Sequence, residues 1–362
     1  MNALHFYAHQ QISEADMLAV DAVLRSDLLT QGPVVERFEE ALAEYIGARH
    51  AIAVSSGTAA LHLAYLAAEI GHMTTSPLTF IATTNAALLA GATVGFVDVD
   101  ARTGNIAALL PLREEYIVPV HYAGRACDLP TTPDWPCSWK IIEDACQALG
   151  AMDFDGCSRV GSCAHSLATV FSFHPTKPIT TGGGGAITTN DAELASVLRS
   201  LRDAGRVNGL MLRLGINGRM SEIQAALGLS QLARCDEMLE RRADLVSAYG
   251  ERMGSLAPDI EQPLFLPEHF DGNSFHLYPA RIKNGRRDEI KAKLNAQGIG
   301  ATVHYSPIVP LHPYYVARFG YGPGDFPNAE AWAAEELSLP LHAGMTEADV
   351  ATVVSALREA LR

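Results

Sequence analysis

The chain has 362 residues, 48% apolar and 19% charged, a profile that supports a sizeable folded core and excludes disordered and fibrous classes. Its 27 Lys and Arg stand against 41 Asp and Glu, a net charge of −14, so the surface repels phosphate backbones and no nucleic-acid partner is expected. No leader pattern and no apolar run of about 18 residues is seen, which predicts no membrane partner, and six scattered cysteines without a C-x-x-C pair predict reduced thiols, no metal site and a cytoplasmic location.

Ser13 caps a predicted helix over 12–26, with Asp16 in its first turn. Pro33 opens a second helix that stops at Gly47. Strands and helices then alternate: strand 50–55, helix 57–69, helix 80–89, strand 93–100. Short apolar runs at 115–120, 140–144, 169–173 and 186–189 read as fully buried strands. This alternation predicts an α/β fold with a large, mainly parallel sheet covered on both faces. The pattern changes after about residue 205. A long amphipathic run, 220–249, reads as a connecting helix into a smaller α+β domain. That domain has strands at 275–282 and 301–305, a helix at 287–297 between them, and a closing helix at 347–361. The expected division is 1–245 and 246–362, with the boundary inside helix.

In such sheets ligands lie at the C-terminal ends of the strands. Strand 50–55 runs into Ser56, Gly57 and Thr58. A glycine, a hydroxyl and a helix N-terminus there offer a cup for phosphate, although helix capping accounts for the same residues. Strand 140–144 ends in Glu143-Asp144. A carboxylate at that place suits a metal, a base role or a protonated ring nitrogen, and equally a structural carboxylate met by nearby N–H groups. Lys177 lies in a proline-flanked turn after a buried strand, beside Gly182–Gly185. A lysine held against apolar walls loses its proton readily and becomes an amine nucleophile able to form a Schiff base. The glycine run fits either a backbone lying against something large or a flexible loop.

Taken together, Ser56-Gly57-Thr58-Ala59, Thr79-Phe80, Glu143 to Gly150 and Phe171 to Lys177 resemble the DegT/DnrJ/EryC1/StrS family of sugar-nucleotide aminotransferases. Leu29 to Pro33, Asn217 to Gln224, His304-Tyr305 and Leu339 to Ala343 extend the resemblance over nearly the whole chain. It implies the aspartate-aminotransferase-like fold (fold type I) and pyridoxal 5′-phosphate as cofactor. Lys177 resembles the Schiff-base lysine, and Asp144 the carboxylate that pairs with the pyridine nitrogen. Gln147 would bond the phenolic oxygen and Phe80 would stack on the ring, although a core aromatic opening a helix is the plainer reading of Phe80. Gly57, Thr58 and Ser172 would hold the phosphate, joined by Asn217 from a neighbouring subunit, which implies a homodimer with shared active sites. Tyr7, Asp27, Leu28, Leu29, Thr30, His304, Tyr305, Ser306 and Pro307 match positions around the nucleotide sugar, with strand-end packing an equal alternative for His304 and Tyr305.

Within the family, Tyr7, Phe275 to Pro279 and Val303 to Ile308 are most similar to enzymes that aminate C4 of UDP-4-keto-6-deoxy-N-acetyl-β-L-altrosamine in pseudaminic acid synthesis, with L-glutamate as donor. Amination at C3 or C4 of another nucleotide-linked keto-deoxysugar is the alternative, as is a non-catalytic cofactor-binding regulator. Dehydratase relatives carry His in place of the lysine, and Lys177 argues against them. An amino-acid aminotransferase would need an arginine clamp for a second carboxylate, and none is evident. Two positions depart from the family pattern: Gly183, where Glu is common, and Gly218, where a large residue is usual.

Overall fold

Ser13 begins helix α1 (Glu14–Leu24) through a reciprocal capping box with Asp16, an arrangement that stabilises a helix start by about 1 kcal/mol. Helix α2 (Pro33–Ile46) starts at its proline and stops at Gly47, which takes the left-handed conformation. The chain continues through β1 (His50–Val54), α3 (Gly57–Ala67), β2 (His72–Thr75), α4 (Ala82–Leu89), β3 (Thr93–Phe96) and β4 (Tyr116–Val118). It then forms β5 (Lys140–Asp144), β6 (Ala168–Ser172), β7 (Gly185–Thr189) and α5 (Ala192–Arg202). This computed structural model describes residues 6–107, 116–129, 140–154, 156–254, 260–262 and 272–362. Residue 115 of the strand predicted at 115–120, and Cys137, lie outside the described residues.

The seven strands form one sheet in the order β1-β7-β6-β5-β4-β2-β3. Only β7 runs against its neighbours, pairing antiparallel with both β1 and β6. The expected mainly parallel sheet is therefore present. Side chains alternate across it, as strand geometry requires. Ile52, Val54 and Ile142 join α3, α4 and α5 in one core. Ala51, Ala53 and Phe171 join α2 on the other face.

Beyond the sheet, a small hairpin, β8 (Arg206–Val207) and β9 (Leu210–Met211), leads to α6 (Glu222–Leu232) and α7 (Cys235–Met253). The run predicted at 220–249 is thus two helices, parted at Ala233 and Arg234, where Arg234 leaves helical geometry. A second capping box, Ser221 with Gln224, starts α6. Buried Asp16 ties α1 to α6, accepting from Ser230, Gln231 and Arg234. Burial alone would raise its pKa; these partners and Ser13 hold it below the usual carboxylate range.

The remaining elements are β10 (Ile260–Glu261), β11 (Tyr278–Ile282), α8 (Arg287–Ala296), α9 (Pro313–Phe319), α10 (Pro327–Glu335), β12 (Glu336–Leu339) and α11 (Glu347–Leu361). Strands β10, β11 and β12 form an antiparallel sheet, and α8 and α11 share its core. Helix α7 enters both cores: Cys235 and Met238 pack under the large sheet, Leu245 and Tyr249 under the small one. The cores change between Met238 and Leu245, and we propose the division inside this helix, close to the expected 245/246. The predicted strand at 301–305 is absent. Thr302 makes an isolated bridge to Ser338, and the His304 N–H goes instead to the Glu336 carboxylate, so the chain leaves the sheet there. Among the described residues, no helix is long and apolar enough to cross a membrane.

Candidate active site

The C-terminal strand ends of the large sheet and the edge of the smaller unit enclose a cavity of about 320 Å³. Gly57, Thr58, Phe80, Asp144, Gln147, Ser172 and Lys177 all line it, with Tyr7, His304 and Tyr305. Glycine at 57 is required by contact: a Cβ there would stand 2.9 Å from the Ser172 Cβ and 3.2 Å from the Cys146 sulfur. At Gly185, a Cβ would stand 2.6 Å from the Ser56 carbonyl. The start of α3 is thus pressed onto the ends of β6 and β7. Ser56 caps it by accepting from the Ala59 N–H at 3.1 Å. The Gly57 and Thr58 N–H groups have no partner within the helix, and with the Thr58 and Ser172 hydroxyls they form a cradle suited to a phosphate.

Asp144 ends β5 and is 4% exposed. The Thr83 hydroxyl donates to its Oδ2 at 2.7 Å, and the Cys146 N–H to its Oδ1 at 3.1 Å. The Thr79 hydroxyl stands 2.8 Å from that of Thr83. Both donors are neutral, so the carboxyl has no cationic partner in the chain and is placed to pair with a cation in the cavity, such as a protonated ring nitrogen. Its neighbour Glu143 points to the opposite side, where burial is outweighed by bonds from His121, Ser166 and Thr169 that hold it below the carboxylate range.

Lys177 follows β6 in a turn closed by its own N–H to the His174 carbonyl at 2.8 Å. Burial holds its ammonium below the ordinary lysine range, against the opposing pull of Cys146 and Asp144. Its Nζ lies 3.4 Å from His276 Nε2. His276 is 4% exposed and its Nδ1 is buried without a partner. Burial and the charges of Lys177 and Arg242 drive it well below the ordinary imidazole range, so it is neutral. The Gln147 side-chain oxygen accepts from the Ala123 N–H at 2.7 Å, and its Nε2 donates to the Tyr305 hydroxyl at 2.9 Å.

Phe80 is 55% exposed, its ring centroid 6.1 Å from that of Tyr305. A core aromatic would be buried; this ring is among the groups that line the cavity. The glycine run is held rather than loose: the Gly183 carbonyl accepts from Thr181 at 2.5 Å and from Gln224 at 2.7 Å. Gly183 has φ +138°, a conformation that favours glycine. Gly218 packs beside Leu63 and Ile216, where a Cβ would find ordinary contact.

A single chain does not bring the other predicted residues into the cavity. Asn217 is exposed and lies outside it. Asp27, Leu28, Leu29 and Thr30 are exposed in the α1–α2 turn, which is tied to the start of α6 by the Glu222 N–H to the Leu29 carbonyl at 3.0 Å. Ser306 and Pro307 are also exposed and do not line the cavity. Conversely, Thr83 and His276 do line it and the sequence assigned them no role. A threonine pair four apart and a histidine within an apolar strand pattern were the available signals. Among the described residues, no three His, Cys, Asp or Glu side chains converge as a metal site.

The groups present fit a phosphorylated pyridine aldehyde: a phosphate cradle, a buried carboxylate and a lysine of depressed pKa in one cavity. Comparisons agree. The DegT/DnrJ/EryC1/StrS aminotransferase family matches residues 10–358. The spore coat polysaccharide biosynthesis protein SpsC of Bacillus subtilis is 37% identical over 99% of this chain and 98% of its own. The UDP-4-amino-4,6-dideoxy-N-acetyl-beta-L-altrosamine transaminase of Campylobacter jejuni subsp. jejuni serotype O:23/36 is 36% identical over 97% of this chain and 96% of its own. Among solved structures, Helicobacter pylori PseC, an aminotransferase involved in the biosynthesis of pseudoaminic acid, superposes with a TM-score of 0.90 at 32% identity, over 98% of both chains. Spr1654 of Streptococcus pneumoniae, solved in PLP and PMP forms, is 26% identical; its PLP form covers 99% of this chain and 98% of its own with a TM-score of 0.87.

Proposed function

We propose a substrate, and a role for each cavity residue, for a chain that belongs to the DegT/DnrJ/EryC1/StrS aminotransferase family. The protein is a pyridoxal-phosphate-dependent aminotransferase of fold type I that acts on sugar nucleotides. The substrate we infer is UDP-4-keto-6-deoxy-N-acetyl-β-L-altrosamine, aminated at C4 with L-glutamate as donor, in the cytoplasm. What carries this reading is 36% identity across 97% of the chain to a transaminase named for the corresponding amino sugar, together with the cavity above.

Bound in the cavity, the cofactor would supply an electron sink for the carbon that loses or gains a proton as nitrogen and oxygen are exchanged there. Gly57, Thr58 and Ser172 hold its phosphate, and Phe80 covers one face of its ring. Asp144 holds a proton on the ring nitrogen, since a full carboxylate charge there favours the protonated form. Gln147 donates to the ring oxygen. Lys177 would hold the cofactor and, as a neutral amine, would take a proton from one carbon and return it to the next. Its depressed pKa suits both duties, because only the neutral amine accepts a proton.

Asn217, exposed and outside this chain's cavity, serves the cavity of a second copy in a homodimer with shared sites. The β8–β9 hairpin supports that arrangement: Leu210, Met211, Leu212 and Leu214 are 61–82% exposed, a patch apolar enough to need covering. Tyr7, His304 and Tyr305 face the sugar; Asp27 to Thr30, Ser306 and Pro307 contact the nucleotide only if the dimer brings them to a cavity.

The test is direct. The enzyme is incubated with L-glutamate and the UDP-linked 4-keto sugar, and products are identified by mass spectrometry and NMR. The expected result is 2-oxoglutarate and the 4-amino sugar nucleotide. A higher kcat/KM on a GDP- or dTDP-linked keto sugar, or amination at C3, would overturn the substrate.

A further inference from the structure

Behind the cavity wall lies a chain of three polar side chains that the cofactor chemistry does not use. His304 lines the cavity. Its Nδ1 is 2.8 Å from the Ser338 hydroxyl. That hydroxyl is 2.5 Å from Glu336 Oε1. Ser338 and Glu336 are both 0% exposed, next but one to each other on β12. The second carboxyl oxygen, Oε2, accepts the backbone N–H of His304 at 2.6 Å, which fixes the carboxyl plane against the histidine. The Tyr122 hydroxyl, donating to the His304 carbonyl at 2.6 Å, holds the same residue from the other side. His304 Nε2, on the far edge of the ring, is left to the cavity.

This geometry admits two proton arrangements and ties them together. With Glu336 ionised, the Ser338 O–H donates to it, so Ser338 must accept from His304, which then carries its proton on Nδ1 and shows a bare Nε2 to the cavity. With Glu336 protonated on Oε1, the acid donates to Ser338 and Ser338 donates to His304 Nδ1, so the ring shows Nε2–H to the cavity instead.

We propose that Glu336, Ser338 and His304 form a proton relay that stores one proton behind the wall and exchanges it with the substrate. When a group in the cavity gives a proton to Nε2, the Nδ1 proton passes to the Ser338 oxygen and the hydroxyl proton passes to the Glu336 carboxylate. The reverse sequence delivers one proton outward. No electrons move, and the net change is one proton between the cavity and Glu336. Its use rests on the reading of the protein as a keto-sugar aminotransferase. The carbonyl oxygen of such a sugar leaves as water and must be protonated, while Lys177 is committed to the proton at carbon. His304 is then a catalytic residue, and Ser338 and Glu336 are positioning residues that set which of its nitrogens is protonated.

The surroundings suit a relay of neutral groups. Burial raises Glu336 to about 8, opposed by Ser338, the His304 N–H, Arg287 and Lys291. Arg287 donates to the Glu336 backbone carbonyl at 3.0 Å rather than to its carboxyl. Tyr122 and Tyr305 also feel the Glu336 charge. Burial and the Lys177 charge lower His304 to about 3, and His276 and the ring of Tyr7 lie beside it. The imidazole therefore stays uncharged while the carboxyl gains or loses its proton near neutrality.

The test reads the tautomer itself. In the cofactor-loaded enzyme labelled with ring-¹⁵N histidine, long-range ¹H–¹⁵N correlations distinguish Nδ1–H from Nε2–H, and H304N identifies the signal. Wild type should change from Nε2–H to Nδ1–H as the solution goes from mildly acidic to mildly alkaline. E336Q, whose amide N–H must donate to Ser338, should stay Nε2–H throughout, and S338A should lose the pH dependence. In turnover, S338A should slow kcat about tenfold or more with KM for the keto sugar little changed. A wild-type His304 locked in one tautomer over that pH span would overturn the relay, whatever E336Q and S338A do. A pH-dependent tautomer with S338A turning over at the wild-type rate would overturn its catalytic use. Loss of sugar specificity with the tautomer behaviour intact would count against the substrate and leave the relay standing.

Discussion

On the sheet side of the cavity, each group leaves a strand end within a few residues. Asp144 ends β5, Ser172 ends β6 and Gly57 follows β1 by three positions. On the side of the smaller unit, His276 and His304 stand outside the strands and are held by partners far along the chain: His276 by the Ala123 carbonyl at 3.0 Å, His304 by Ser338 and Glu336. The sheet side meets its acidic group with neutral donors alone, Thr83 and the Cys146 N–H on Asp144. The other side buries titratable groups near a change of protonation: His276, whose Nδ1 has no partner, and the Glu336 carboxyl, which burial raises although each oxygen has a donor. A fixed charge suits holding a cofactor in one state. Buried groups near a change of protonation suit moving protons, and they cost stability to keep.

That contrast can be attacked from either side. The largest effect is expected from K177A, which removes the amine that moves the proton: turnover should fall by ~10³-fold or more, and borohydride reduction should no longer fix the cofactor to a peptide spanning 177. Label found on another lysine of the wild-type enzyme would sink the assignment. D144N keeps the shape and Thr83 contact but removes the charge. It should cost on the order of 10²-fold in kcat while cofactor still binds; an unchanged kcat would remove Asp144 from the chemistry. G57A pushes a methyl group to 2.9 Å from Ser172, and overpacking of about 1–3 kcal/mol should appear as roughly tenfold weaker cofactor binding in a titration. Affinity equal to wild type would mean that the α3 start is not the phosphate cradle.

The smallest effect concerns the other wall. Folding raises the Glu336 carboxyl from its ordinary 4.5 to about 8, so over that interval the folded chain binds a proton that the unfolded chain has released. Its contribution is therefore most favourable below about 4.5, declines as pH rises, and has been fully lost above about 8, with a slope of about 1.4 kcal/mol per pH unit. E336Q carries no such proton. Urea denaturation at mildly acidic and mildly alkaline pH should show a flatter stability difference in E336Q than in wild type; equal slopes would place the ordinary carboxylate pKa on Glu336.

The same contrast separates what could be read in the sequence from what could not. The sheet wall is written locally: Gly57 at a helix start, Asp144 at the end of a buried strand, Lys177 beside prolines. Lys177, Asp144, Gln147, Phe80, Gly57, Thr58, Ser172, Tyr7, His304 and Tyr305 all reach one cavity. Strand β2 was missed because HMTT is too short and too polar to stand out, yet its Met73 and Thr75 are 0% exposed. Helix α10 and strand β12 were missed because they meet with no turn signal, the helix giving way directly to Glu336 in extended geometry. Burial of a glutamate there is invisible locally, since it depends on His304 arriving from 32 residues upstream. The run 220–249 hid its break for a similar reason: Ala233 and Arg234 are good helix formers, and packing rather than propensity parts the helices.

The Gln147 amide decides the polarity of what it meets. Its oxygen is taken by the Ala123 N–H and one of its hydrogens by the Tyr305 oxygen. The remaining amide hydrogen and the phenolic hydrogen of Tyr305 are both electron-poor. An oxygen bearing lone pairs and negative charge is drawn to that spot. One main-chain N–H at position 123 thereby turns the amide's donor end toward the cavity's tyrosine and favours an acceptor there.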